Sequence, residues 1–152
     1  MHVHVRRSLL MLISLLWLAA PGIGQAAEPE KKPFAEERIV LQISDRDPFK
    51  QTLVLNVAGN LLRYYGPDKV DIEIVAFGPG LRLLFADNSN RGRIESLVEN
   101  GGVRFSACSN TIRNMGKKLG HPPELNPNAV RVKAGVVRII ELMNQGYKLI
   151  KP

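Results

Sequence analysis

This sequence is poor in the side chains that carry most protein chemistry. Among its 152 residues it has one cysteine, three histidines and one tryptophan, and aromatics make up 6% of the chain. Two of the histidines, His2 and His4, and the tryptophan, Trp17, lie in the amino-terminal stretch, which leaves Cys108 and His121 as the soft metal ligands of the rest. One cysteine excludes an internal disulfide. One cysteine and one histidine cannot build the usual nitrogen and sulfur shell of a zinc site, so no metal and no cofactor is expected. Few aromatics interleave with the scattered basic residues and no nucleic-acid module signature is present, so no nucleic-acid partner is expected. Gly78-Pro79-Gly80 has no following Lys-Ser/Thr, which excludes a phosphate loop of the Walker type.

What is present begins with Arg6-Arg7, then an almost unbroken apolar run from Ser8 to Ala20, a Pro21-Gly22 break, and small residues through Ala26. That order reads as an export signal over residues 1–26, with cleavage after Ala26 or Ala27. The run is short for a membrane span, which needs about 20 residues. Cleavage would leave no stable membrane insertion and a periplasmic or secreted protein; retention as an anchor is the second reading. Residues 27–37, with Glu28-Pro29-Glu30-Lys31-Lys32-Pro33, read as a polar linker. Residues 38–152 suit one compact domain. The formal net charge of +7 falls by two when Arg6 and Arg7 leave. The remaining basic residues, Arg104 among them, read as a solvated surface, or more sharply as an anion-binding mouth.

Apolar periodicity then alternates between two kinds. Arg38 to Ser44, Val70 to Phe77, Val103 to Ala107, Val130 to Val132 and Tyr147 to Ile150 read as strands. Helical spacing follows Asp47-Pro48 (Leu53, Val57, Leu61, Tyr65), with Asp47 as cap and Pro48 as first helical residue. A short helix is expected over Leu81 to Ala86, and longer ones around Ile94 to Val98, from Thr111 to Leu119, and around Val136 to Met143. Strands alternating with helices imply a mostly parallel sheet with helices on both faces. In such sheets ligands gather at the carboxyl ends of strands. Ser44-Asp45, Gly78-Pro79-Gly80 and Cys108-Ser109-Asn110-Thr111 all fall there.

Cys108 is the leading candidate. A thiol at a strand end facing a helix amino terminus is near unpaired N–H groups, which favour the thiolate. It would then be a nucleophile or sulfur handle supported by Ser109, Asn110 and Thr111. The competing reading is a small buried hydrophobe. Asn110 and Thr111 also read as ordinary cap residues. Asp45 and Asp47 fit helix capping better than acid–base work, Gly78 and Gly80 fit a turn that brings backbone close to the site, and His121 fits an exposed loop that would have to fold back to reach Cys108.

These segments together resemble the DsrE/DsrF-like family of small α/β proteins, several of which act in sulfur relays. The resemblance runs from about Arg38 to Pro152 and is carried by Ile39 to Ser44 with Asp45, Asp47 and Pro48, by Val75-Ala76-Phe77-Gly78-Pro79-Gly80, by Val103 to Thr111, and by Ala134 to Arg138 with Gly146-Tyr147. It implies a three-layer α/β/α sandwich around a mostly parallel five-stranded sheet, and assembly into homo-oligomers such as trimers or hexamers. It further implies that Cys108 carries sulfur as a persulfide between an external donor and acceptor. The alternative is a non-catalytic ligand-binding or assembly module in which Cys108 is structural.

Overall fold

The computed structural model describes residues 32–152. The expected signal segment lies outside them. Five strands, β1 (Glu37–Ile43), β2 (Val70–Ala76), β3 (Arg104–Cys108), β4 (Ala129–Val132) and β5 (Lys148–Ile150), form one sheet in the order β4-β3-β2-β1-β5, with every pairing parallel. Four helices connect them: α1 (Pro48–Tyr65), α2 (Arg91–Gly101), α3 (Ser109–Leu119) and α4 (Gly135–Asn144).

The strand order decides which face each helix covers. From β1 to β4 the chain steps across the sheet in one direction, so right-handed crossovers put α1, α2 and α3 on the same face. Val54 of α1, Ile94 of α2 and Ile112 of α3 accordingly share one core with Ile39, Leu41, Ile72, Ile74, Phe105 and Ala107. The step from β4 to β5 runs back across the whole sheet, so α4 lands on the other face. There Ile139 and Leu142 pack on Val40, Val75 and Tyr147. The result is a three-layer α/β/α sandwich with one helix in the thin layer.

Local chemistry explains the element boundaries. Asp47 caps α1, its side chain accepting the Phe49 N–H at 2.9 Å, and Pro48 opens the helix. The short helix expected over Leu81 to Ala86 is a 3-10 turn over Gly78–Leu84 instead. Gly80 permits it: a Cβ there would fall 2.5 Å from the Ile43 carbonyl oxygen, so only glycine lets this turn lie against the end of β1. Lys32, in the segment expected as linker, is tied down; its ammonium donates to the carbonyls of Pro67, Val70 and Gly101. Among the described residues no helix is long and apolar enough to cross a membrane.

One face carries a feature that hydropathy alone conceals. Asp71 and Glu73 alternate with isoleucines in β2, a pattern that normally puts carboxylates in water. Both are fully buried, and Arg104 and Arg138 are nearly so, against the expectation that Arg104 belongs to a solvated surface. β2 is the central strand and α4 covers it, so its polar side has no access to solvent. The charges are instead matched. Arg104 bridges Asp71 and Glu73; Arg138 grips Glu73 at 2.7 and 2.9 Å; Ser106 donates to Glu73 at 2.6 Å; Tyr147 donates to Asp71 at 2.6 Å and accepts from Arg104 at 2.8 Å. Buried charges are tolerated on these terms, each one paired and hydrogen-bonded.

Candidate functional site

Side chains alternate across a strand, so Arg104, Ser106 and Cys108 share the face of β3 that looks toward α4. Cys108 is the last residue of β3 and also the cap of α3, which begins at Ser109. Strand passes into helix with no loop between them. Asn110 and Thr111 therefore sit inside the first turn of α3 and are not its caps. The sequence misleads here because Ser, Asn and Thr are stronger cap formers than Cys, which draws the expected helix start too far along the chain.

β3 and β4 are neighbours, with Cys108 paired to Val132. At their carboxyl ends the chain departs to opposite faces, from β3 into α3 and from β4 into α4. This is the switch point of the sheet, where the two departing loops open a crevice. A cavity of about 410 Å³ lies there, lined by Asn110 from α3, by Val132 at the end of β4, by Lys133 and Ala134 from the β4–α4 connection, and by Arg138 and Glu141 from α4. Cys108 does not line this cavity itself; it adjoins it through its strand partner Val132 and is 5% exposed.

The surroundings of the sulfur oppose each other. Burial pushes the thiol up. The Thr111 hydroxyl and the backbone N–H groups of Gly135, Thr111 and Asn110 favour the thiolate, and the balance holds the Cys108 thiol below its ordinary value of 9.0. The sulfur makes no side-chain cap bond to α3; the groups that favour the thiolate belong to the starts of two helices, α3 and α4. The Thr111 hydroxyl is aimed by a second contact. Its oxygen accepts the Gly78 N–H at 2.9 Å, which leaves the hydroxyl proton free for another acceptor. Gly78 is thus joined to the site through Thr111.

The other expected partners are not brought to Cys108. Asp45 accepts the Asp47 N–H at 3.0 Å and pairs with Lys50 at 3.0 Å, at the end of β1 and two strands away, on the order of 10 Å across the sheet. These contacts, the Asp47 N–H foremost, hold its carboxyl below the usual carboxylate range. His121 is exposed and follows the carboxyl end of α3, about 16 Å of helix from Cys108. It shares a cleft of about 480 Å³ with Ser109, Ile112, Arg113 and Gly116 along α3, but the helix length separates it from the sulfur. The Asn110 side chain accepts from Arg113, and it is the Asn110 backbone that favours the thiolate. Gly80 shapes the neighbouring turn without touching the thiol.

Gly135 is the participant that sequence reasoning missed. A Cβ there would stand 2.9 Å from Phe77 Cβ, so α4 starts against the end of β2 more closely than any side chain allows. Its signal was a glycine at the amino end of a helical pattern, where a strong cap residue is more usual. Among the described residues no group of three or more His, Cys, Asp or Glu side chains could hold a metal ion.

Fold and site together define a small, all-parallel α/β protein with a single buried thiol at the switch point of its sheet. The chain is 31% identical to MTH1491 from Methanobacterium thermoautotrophicum, a protein of unknown function whose structure superposes with a TM-score of 0.68 over 76% of this chain and 99% of that one. It belongs to the same family as that protein. No family model and no curated protein matches the chain.

Proposed function

We propose that this is an exported thiol protein of the DsrE/DsrF-like kind that carries sulfane sulfur on Cys108. The observation that supports it is the seat of a buried thiol at the end of β3, where strand passes directly into α3, beside the crevice at the sheet's switch point, with the Thr111 hydroxyl and nearby backbone N–H groups favouring the thiolate. Such donors stabilise a thiolate, the nucleophilic form. The step is an exchange without net oxidation. The thiolate attacks the outer sulfur of a hydropersulfide, R–S–SH; the Sγ–S bond forms, the donor's S–S bond breaks, and R–S⁻ leaves with the electron pair. An acceptor thiolate reverses the exchange. With no second cysteine in the chain, donor and acceptor are other molecules. The leader read over residues 1–26 supports a periplasmic or extracellular setting, and the exposed Val136, Val137, Ile140 and Met143 on the outer face of α4 support assembly into homo-oligomers, trimers or hexamers.

Intact-mass measurement after treatment with polysulfide or thiosulfate tests the reading. The expected result is a gain of one sulfur atom, reversed by a reducing thiol and absent in Cys108→Ala. No gain in the native protein removes the proposal. The low exposure of Cys108 favours the second reading, a binding or assembly module with a structural cysteine. A native thiol that resists alkylation at pH 7 selects it.

A further inference from the structure

The buried ionic layer beneath α4 is more than neutral packing, because one of its members reaches the helix end that faces the sulfur. Arg138 lies three residues after Gly135, less than one turn into α4. Its guanidinium is held by Glu73 through Nε at 2.7 Å and Nη2 at 2.9 Å, a two-pronged grip that sets orientation as well as distance. Glu73 is itself immobilised, accepting from Ser106 at 2.6 Å and from Arg104 at 3.2 Å. Ser106 precedes Cys108 by two residues on the same face of β3. One carboxylate therefore ties the strand that ends in Cys108 to the helix that begins at Gly135. The far end of α4 has a separate tether, through Tyr147 to Asp71 and Arg104. The two carboxylates of β2 thus hold opposite ends of the same helix.

We propose that Glu73 is a positioning residue for Cys108: by gripping Arg138 it holds the first turn of α4 against the carboxyl end of β3, so that the Gly135 N–H faces the sulfur. This deepens the thiol reading of Cys108 and rests on it. Glu73 touches no substrate. Its action runs through Arg138 and the backbone of α4, and Asp71, although equally buried and equally charged, has no part in it.

Direct electrostatics and positioning predict opposite outcomes, which makes the inference testable. Glu73→Gln removes a negative charge from the neighbourhood of the thiolate. Coulomb's law alone would then make the thiolate easier to form and lower the thiol's titration midpoint. Loss of the grip withdraws a donor and raises it. Arg138→Lys keeps the charge and loses the planar fork, so only positioning can move the midpoint there.

The readout is the ¹³Cβ resonance of Cys108 followed against pH in purified protein labelled at cysteine. The chain's single cysteine gives one signal, and the measurement needs no reagent to reach the sulfur. The expected result is an upward shift of about one pH unit in both Glu73→Gln and Arg138→Lys, a tenfold loss of thiolate below the midpoint. Asp71→Asn should lower the melting temperature comparably and leave the midpoint where it is. Ser106→Ala, which removes one bond to Glu73, should shift it in the same direction by less, and serves if the charge variants do not fold. An unchanged or lowered midpoint in the folded variants, or an equal shift in Asp71→Asn, would overturn the assignment. Because the titration does not depend on sulfur transfer, a protein that fails to take up sulfur but shows these shifts rejects the carrier reading and retains the positioning role.

Discussion

Phe77 occupies the space that a side chain on Gly135 would need, with Phe77 Cβ and Cδ1 standing 2.9 and 3.0 Å from the place of the missing Cβ. The contact sets how closely α4 approaches the end of β2, and through it how closely a backbone donor approaches Cys108. Gly135→Ala should push the start of α4 outward. Overpacking of this kind costs about 1–3 kcal/mol, and urea denaturation should show it. The Cys108 titration should move upward in the same variant. Unchanged stability with an unmoved titration would mean that the contact has slack.

The Thr111 side chain favours the thiolate of Cys108, and its hydroxyl oxygen accepts the Gly78 N–H. Thr111→Val keeps the shape and removes the hydroxyl. The Gly78 N–H then loses its acceptor, a cost of about 1 kcal/mol. Alkylation of Cys108 at pH 7 should slow, with Thr111→Ser close to the native rate. Equal rates in valine and serine variants would show that the hydroxyl does not act on the sulfur.

The lowered thiol has a consequence for stability. An acid whose folded value lies below its unfolded value stabilises the fold above the unfolded value, here 9.0, and loses that contribution as pH falls through the folded value. The stability difference between the native protein and Cys108→Ala should therefore widen as pH rises toward 9 and level off beyond it. Chemical denaturation across neutral to alkaline pH measures it. A difference independent of pH would mean that the sulfur is held as a neutral thiol.

Tyr147 behaves in the opposite sense. Burial, followed by its bond to Asp71, pushes the phenol from 10.0 up to about 12. A raised acid contributes its stability in full below 10 and loses it as pH climbs through 12. Tyr147→Phe leaves Asp71 and Arg104 each short of a partner and should cost about 1–3 kcal/mol at neutral pH. The gap between native protein and variant should close between pH 10 and 12.

The outer face of α4 bears on assembly. Val136, Val137, Ile140 and Met143 are about half exposed on it, beside Leu149 and Ile150 of β5. If copies of the chain meet there, Ile140→Lys should reduce the sedimenting mass while altering the monomer's stability by no more than about 0.5 kcal/mol. The same mass for native and variant protein would move the subunit contact elsewhere.

Periodicity and turn chemistry were enough to read the layers. Pro48, Gly66 and Gly102 mark helix ends plainly, and the β-branched runs mark strands. Cys108 was legible because its place depends only on local order, a strand followed at once by a helix. The rest was hidden for physical reasons. Asp71 and Glu73 are indistinguishable from solvent-facing residues until the strand order makes β2 central and sends α4 across it. Gly135 comes to the sulfur only because the chain returns over the whole sheet, a long-range event with no local mark. Asp45 and His121 carry useful functional groups, but the first is absorbed into a turn and the second is separated by the length of α3.

Apart from the Thr111 hydroxyl, the groups that favour the thiolate of Cys108 belong to the main chain. Such an environment leaves almost no trace in side-chain identity. Two relatives could share little beyond the cysteine, a hydroxyl one turn along and room for a tightly seated helix start, and still present the same field to the sulfur. Kinship of chemistry in this fold is therefore better sought by superposing peptide groups than by matching residues.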